Sequence, residues 1–152
     1  MRSNDIVILF ARLALAAGFL SAVADRLGLW GPYGTQNVVW GDMERFLSYT
    51  ATLNPWFPSS FIPFVGWFAT IAEIVLGILL LVGWRTRFIA LASGWLLVAF
   101  AAGMSAGPGI KTAWNASVFA AASAAFLLAR ADHYVLSVDA VRSAGTSPLK
   151  KS

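Results

Sequence analysis

Two ionisable residues stand inside long apolar runs, where each costs a few kcal/mol on insertion scales and so needs a partner or a purpose. Arg12 lies six residues into the run Ile6–Ala24, about 9 Å from its start at 1.5 Å per helical residue. Glu73 lies in the run Phe64–Trp84, 11 residues from Trp84, which places it about 16 Å from the same end of an antiparallel neighbour. A guanidinium stem covers much of the difference, so Arg12 and Glu73 are expected to be able to meet as a buried ion pair. Two uses follow. One is a polar site within the helices, for proton relay or for the head group of a quinone-like lipid. The other is structural: a pair that fixes helix register, or an Arg12 that snorkels to the interface.

Secondary candidates flank these two. Asp25 and Arg26 close the first run and read as an interfacial stop signal, although Arg26 could turn inward beneath the loop that follows. Asn115 stands at the start of the last apolar run, where an amide can hydrogen-bond across helices. His133 is the only histidine, so two axial ligands for a haem cannot be assembled, and no metal-ligand cluster is evident. The absence of cysteine excludes thiol–disulfide exchange and cysteine-ligated metals by this chain. No phosphate-binding glycine loop and no nucleophile elbow is visible. Catalysis by side chains alone therefore has no visible apparatus.

The elements that position these residues follow from composition. Of the 152 residues, 59% are hydrophobic and only 12% charged, against roughly a quarter charged in soluble domains. A bilayer core needs about 20 mostly apolar helical residues per crossing. Four stretches approach that length: 6–24, 64–84, 88–104 and an alanine-rich 113–129. The expected fold is all-α, a four-transmembrane-helix bundle forming one membrane domain over 1–142, with a flexible basic C-terminal tail over 143–152. Between the first two spans, Trp40–Leu53 carries Met43, Phe46, Leu47 and Thr50 at helical spacing, which predicts a short amphipathic helix in the outer loop. That helix either lids a cavity or closes the top of the bundle.

The net charge of +4 does not form a nucleic-acid-binding stripe. Arg2, Arg85, Arg87, Arg130, Arg142, Lys150 and Lys151 fall on one side of four spans, and only Arg26, Arg45 and Lys111 on the other. The positive-inside rule then predicts a multi-pass protein of a bacterial inner membrane with both termini cytoplasmic. Arg2, the apolar run and Ala22-Val23-Ala24 imitate a secretory leader, but Asp5, Arg12 and the length of the run argue for a retained span.

Several segments resemble the DoxX family of small four-helix bacterial membrane proteins. They are Ala11-Arg12-Leu13 with Gly18-Phe19-Leu20, then Asp25-Arg26-Leu27-Gly28, the stretch Glu73-Ile74-Val75-Leu76-Gly77 followed by Leu79 to Gly83, and His133 to Asp139. Arg130-Ala131-Asp132 replaces a Gly-Pro-Gly of that family, and Asn115 lies near where an acidic residue is often found. The resemblance implies a four-helix membrane protein that supports a quinone-linked redox or oxidative-stress complex, with an oxidoreductase partner. A non-catalytic scaffold or assembly protein is the alternative, and a small transporter, which four helices could form only as a homo-oligomer, is a third reading.

Overall fold

The computed structural model describes residues 3–145, and among them every regular element is helical. Helix α1 (Ser3–Arg26) carries the first apolar run to its end. It stops where Gly28 takes a left-handed conformation, with φ +71°, the geometry that glycine adopts without steric cost. A loop then leads to α2 (Met43–Leu53). The Asp42 side chain caps α2 by accepting the Arg45 amide at 2.8 Å, and that bond holds the Asp42 carboxyl below its usual range. The amphipathic helix expected over Trp40–Leu53 thus begins three residues later, because Asp42 serves as its cap.

Pro58 and a tight turn at Ser59–Phe61 introduce α3 (Ile62–Val82), with Pro63 in its first turn, a position that needs no backbone N–H. Gly83, left-handed at φ +69°, ends α3 and donates to the Leu79 and Leu80 carbonyls. Helix α4 (Thr86–Met104) follows. Its first amides are capped from a distance: the Asp139 carboxylate accepts Arg85 N at 2.8 Å and Thr86 N at 2.7 Å.

Among the described residues, three helical runs are long and apolar enough to cross a membrane, namely Asn4–Arg26, Ser59–Val82 and Thr86–Asn115. The fourth expected span, 113–129, is not continuous. A π-helical turn at Ser105–Gly109 carries the chain into α5 (Ile110–Asn115), then Ser117 turns left-handed at φ +53°, and α6 (Val118–Leu128) begins. Pro108 lacks the N–H that a regular ladder requires, so the interval between the third and fourth expected spans begins as a widened turn. The kink expected nowhere falls at Ala116-Ser117. Past α6, helix α7 (Val138–Gly145) occupies the first residues of the segment expected to be a flexible tail. The rest of that expected tail lies outside the described residues.

α1 packs along α3, α4 along α6, and α3 and α4 touch each other, as do α1 and α6. Small residues permit the closest approaches. A Cβ at Gly77 would press on Leu20 and the Ala16 carbonyl, and one at Gly94 would enter the Phe126 ring. The core between them holds Ala16, Leu80, Ala90 and Ala125, all fully buried. Phe64, Phe88 and Leu127 point outward and are well exposed, as lipid-facing side chains are in a membrane helix. The Asp5 carboxylate meets His133 Nε2 at 2.6 Å, so the start of α1 and the segment after α6 share one end. The long loop, α2 and the π-helical turn share the other, where Gly107 lies against Thr52 and Leu53.

Candidate functional site

Where the long loop meets the helices, two neighbouring residues of opposite charge do different work. Asp25 and Arg26 are both at most 5% exposed, and successive helical positions point about a quarter turn apart. Asp25 faces the loop. Its carboxylate accepts the backbone N–H of Val39 at 3.0 Å, of Trp40 at 3.2 Å and of Gly41 at 3.2 Å. Three converging amides on one carboxylate are charge-assisted hydrogen bonds, and they strap residues 39–41 across the end of α1.

Arg26 faces inward. Its Nη1 is paired with Glu73 Oε2, its Nη2 donates to Glu73 Oε1 at 3.1 Å, and Nη1 also donates to Thr70 Oγ1 at 3.2 Å. Thr70 and Glu73, three apart on α3, share a helix face. The Thr70 hydroxyl donates to the Gly66 carbonyl at 2.8 Å, so its lone pairs remain available to the guanidinium. Over the pair lie aromatic rings from the strap and from α2. The guanidinium carbon is 3.8 Å from the Phe46 ring centroid and 5.2 Å from that of Trp40. Those two rings meet edge to face at 5.2 Å. The bidentate ion pair, with π-faces above it, satisfies most of a charge that would be very costly alone. One donor is left over: Arg26 Nε is buried and has no partner among the described residues.

Two cavities meet at this arginine. One, of about 230 Å³, lies under α2 against α3 and α4, with Tyr49, Leu53, Phe68 and Phe100 on its walls. Burial pushes the Tyr49 phenol up from its ordinary value. The other, of about 620 Å³, runs between α1, α4 and α6 and has Arg26, Glu73 and Trp40 at its polar end. Apart from these residues its lining is apolar. An apolar cavity with a few converging polar groups is the usual form of a small-molecule site. Among the described residues no group of three or more His, Asp or Glu side chains is placed to hold a metal ion.

The expected partnership of Arg12 with Glu73 is not what the structure forms. Arg12 is buried at the opposite end, where Nη1 donates to the Val135 carbonyl at 3.2 Å and Nη2 to Leu136 at 2.6 Å. The reason is register together with side-chain direction. Gly77 lies against Ala16 and Leu20, and Gly83 against Arg12, so Glu73, four residues before Gly77, is level with the turn 20–24 of α1. Helical side chains lean toward the N-terminus of their own helix. Arg26 therefore drops back onto Glu73, whereas Arg12 leans away from it. Asp25 and Arg26, expected to be a stop signal, are two centres of the site, and Arg26 makes the inward turn beneath the loop. Asn115 is exposed at the end of α5 and lines neither cavity. Thr70, Trp40 and Phe46 complete the site without standing out as site residues in the sequence. The signal available for Thr70 was its i, i+3 spacing from Glu73, and for Trp40 its place one residue before the Gly41-Asp42 cap.

The profile of the family described as methylamine utilisation protein MauE matches residues 4–109. That range holds Asp25, Arg26, Trp40, Phe46, Thr70 and Glu73. No curated protein and no solved structure matches the chain. The match overturns the resemblance to the DoxX family. That resemblance rested on an arginine and a glutamate in apolar spans and on glycine-ended helices, features that many small helical membrane proteins need for packing and charge burial. Covering well over half of the 152 residues, the match places this chain in the MauE family.

Proposed function

We propose that this protein is a membrane subunit of a redox-linked system of the kind its family is named for, methylamine utilisation, and that the Arg26–Glu73 pair holds the head of a quinone-like lipid. One observation carries the reading: a buried arginine, walled by aromatic rings between two apolar cavities, retains an unpaired N–H at Nε. A quinone head presents carbonyl acceptors and an apolar ring, and the residues present fit both. Nε and the Tyr49 hydroxyl offer donors, while Trp40 and Phe46 offer flat apolar surface. A quinone, when bound, supplies electron carriage within the membrane to an oxidoreductase partner. This chain binds and orients the head, with Glu73 fixing the guanidinium and the strap excluding water.

The topology that goes with this reading has four crossings and both termini in the cytoplasm. α5 and α6 together contribute 17 helical residues, about 26 Å of rise, close to the ~30 Å hydrocarbon core. They would form a broken fourth crossing. The excess of Arg and Lys on the side of the termini supports the orientation.

The test is native mass spectrometry of gently solubilised protein, comparing wild type with the double variant Arg26→Gln/Glu73→Gln. Removing both charges leaves no unpaired buried charge, so fold and abundance are expected to persist while bound quinone is lost. Undiminished quinone in the double variant, or none in wild type, refutes the reading. A second reading, a scaffold without bound ligand, draws on the fact that both Glu73 oxygens are already engaged by Arg26. It predicts that single variants lose abundance, and that the double variant restores both abundance and cellular phenotype.

A further inference from the structure

We propose that the crevice between α1 and α6 receives the apolar tail of the ligand, admitted sideways from the bilayer, while the head rests at Arg26 and Glu73. The placement of the head rests on the preceding reading; the tail path rests on separate observations. On the α1 side the crevice is lined by Ala14, Gly18 and Ala22, and on the α6 side by Ala120, Ala121 and Ala124. Side chains this small leave a gap between helices that larger ones would fill. A Cβ built at Gly18 meets nothing within 4 Å, so at this point the wall borders open space. Against α3, by contrast, the same helix is closed, since a Cβ at Gly77 would press on Leu20.

The crevice begins near Phe10 and ends at Arg26, about 24 Å along the helix axis, or most of a ~30 Å hydrocarbon core. Its volume of about 620 Å³ lies within the usual range for small-molecule sites, roughly 300–1,000 Å³. The polar end supplies the second observation: Arg26, 4% exposed, carries the unpartnered Nε. A long apolar crevice, with alanine or glycine at several wall positions and Arg26 at its end, matches a molecule with an acceptor head and a linear apolar tail.

The tail gains little hydrophobic free energy by leaving lipid for the crevice, because lipid chains are as apolar as its walls. The crevice acts sterically instead. A head that carries a long tail can reach Arg26 only if the tail has somewhere to lie, whereas a tailless head needs no such room. Filling the crevice must then separate the two.

The experiment uses the full chain in lipid nanodiscs with two probes, a tailless benzoquinone and its decyl homologue, read by native mass spectrometry. Gly18→Phe is expected to cut occupancy by the decyl probe about tenfold or more, the effect of overpacking a filled site, and to leave the tailless probe within about twofold. Ala14→Phe, which enlarges another exposed wall position, is the second variant and is expected to act alike. A diazirine-bearing acyl lipid provides the arm independent of the head. Labelling of wild type is expected to concentrate on α1 and α6 and to fall in Gly18→Phe. If neither quinone binds wild type but this labelling pattern holds, the tail path stands and the head assignment falls. Equal decyl binding in wild type and both variants overturns the proposal. So does labelling spread evenly over all lipid-facing helices, or a partner helix crosslinked within the crevice.

Discussion

Replacing Asp25 by Asn should loosen the strap over the site without unfolding the helices. The wild-type carboxylate takes Val39 N and Trp40 N on Oδ2 and Gly41 N on Oδ1. Asparagine keeps one carbonyl oxygen, but its NH₂ would point a donor at a donor. At least one hydrogen bond to a charged group is lost, worth about 1.5–3 kcal/mol, and one amide is left unsatisfied. Because the remaining oxygen can still serve part of the cluster, a net cost of about 2–4 kcal/mol to the closed strap is expected. Local opening should then become more frequent by roughly one and a half to three orders of magnitude. Hydrogen exchange read by mass spectrometry, in nanodiscs, would report this on peptides spanning residues 36–54. Exchange there should accelerate strongly while peptides from the middle of α1 and α3 stay unchanged. Unaltered exchange at Val39–Gly41 would refute the clamp, and uniform acceleration through α1 and α3 would show that Asp25 supports the whole fold rather than the strap.

At the other end, Asp139→Ala should cost about 1 kcal/mol by removing the cap of α4, seen as a lower unfolding midpoint in detergent. Partial burial raises the Asp139 carboxyl, but hydrogen bonds from the Thr86 and Arg85 amides outweigh it, so the group titrates below its ordinary value. Its contribution is therefore full above the unfolded value of about 3.9 and is lost as pH falls through the lower folded value; Asp139→Asn should lack that acid-side loss. Gly83→Ala should destabilise by more than about 2 kcal/mol, since alanine at φ +69° is strained and its Cβ would collide with Ser137 and Arg12. A wild-type melting curve for that variant would refute the packing described at this end.

Much of the fold is legible because oil and punctuation agree. The run from Ile6, the run ending at Gly83 and the run after Arg87 are each bounded by charges, glycine or proline, and α1, α3 and α4 follow them within a few residues. The last run is less legible for a physical reason. Alanine is a good helix former but weakly hydrophobic, so Ala113–Ala129 carries no strong signal of where a helix must be continuous. The break at Ser117 depends on a backbone conformation that the side chains do not announce. The site is legible in its ingredients and not in its pairing. That Glu73 needs a partner or a purpose follows from burial, but which cation answers it depends on how far α1 slides along α3, and Gly77 against Ala16 and Leu20 sets that offset.

The strap and the ion pair behave as one device because adjacent residues of α1 anchor them. Asp25 fixes Trp40 through its amide, and Trp40 is one of the two rings over the Arg26 guanidinium; the other, Phe46, follows on the helix that the strap leads into. A strap that opened would remove aromatic cover from Arg26 and admit water, weakening every electrostatic interaction beneath it as the local dielectric rises. Conversely, an Arg26 pulled toward a bound acceptor would shift the surface on which Trp40 and Phe46 rest. Neutralising Asp25 and neutralising Glu73 should thus be non-additive in any binding measurement, by the 0.5–3 kcal/mol typical of residues that share partners. Strict additivity would mean that the loop merely lies across the end of the helices and that the pair works without it.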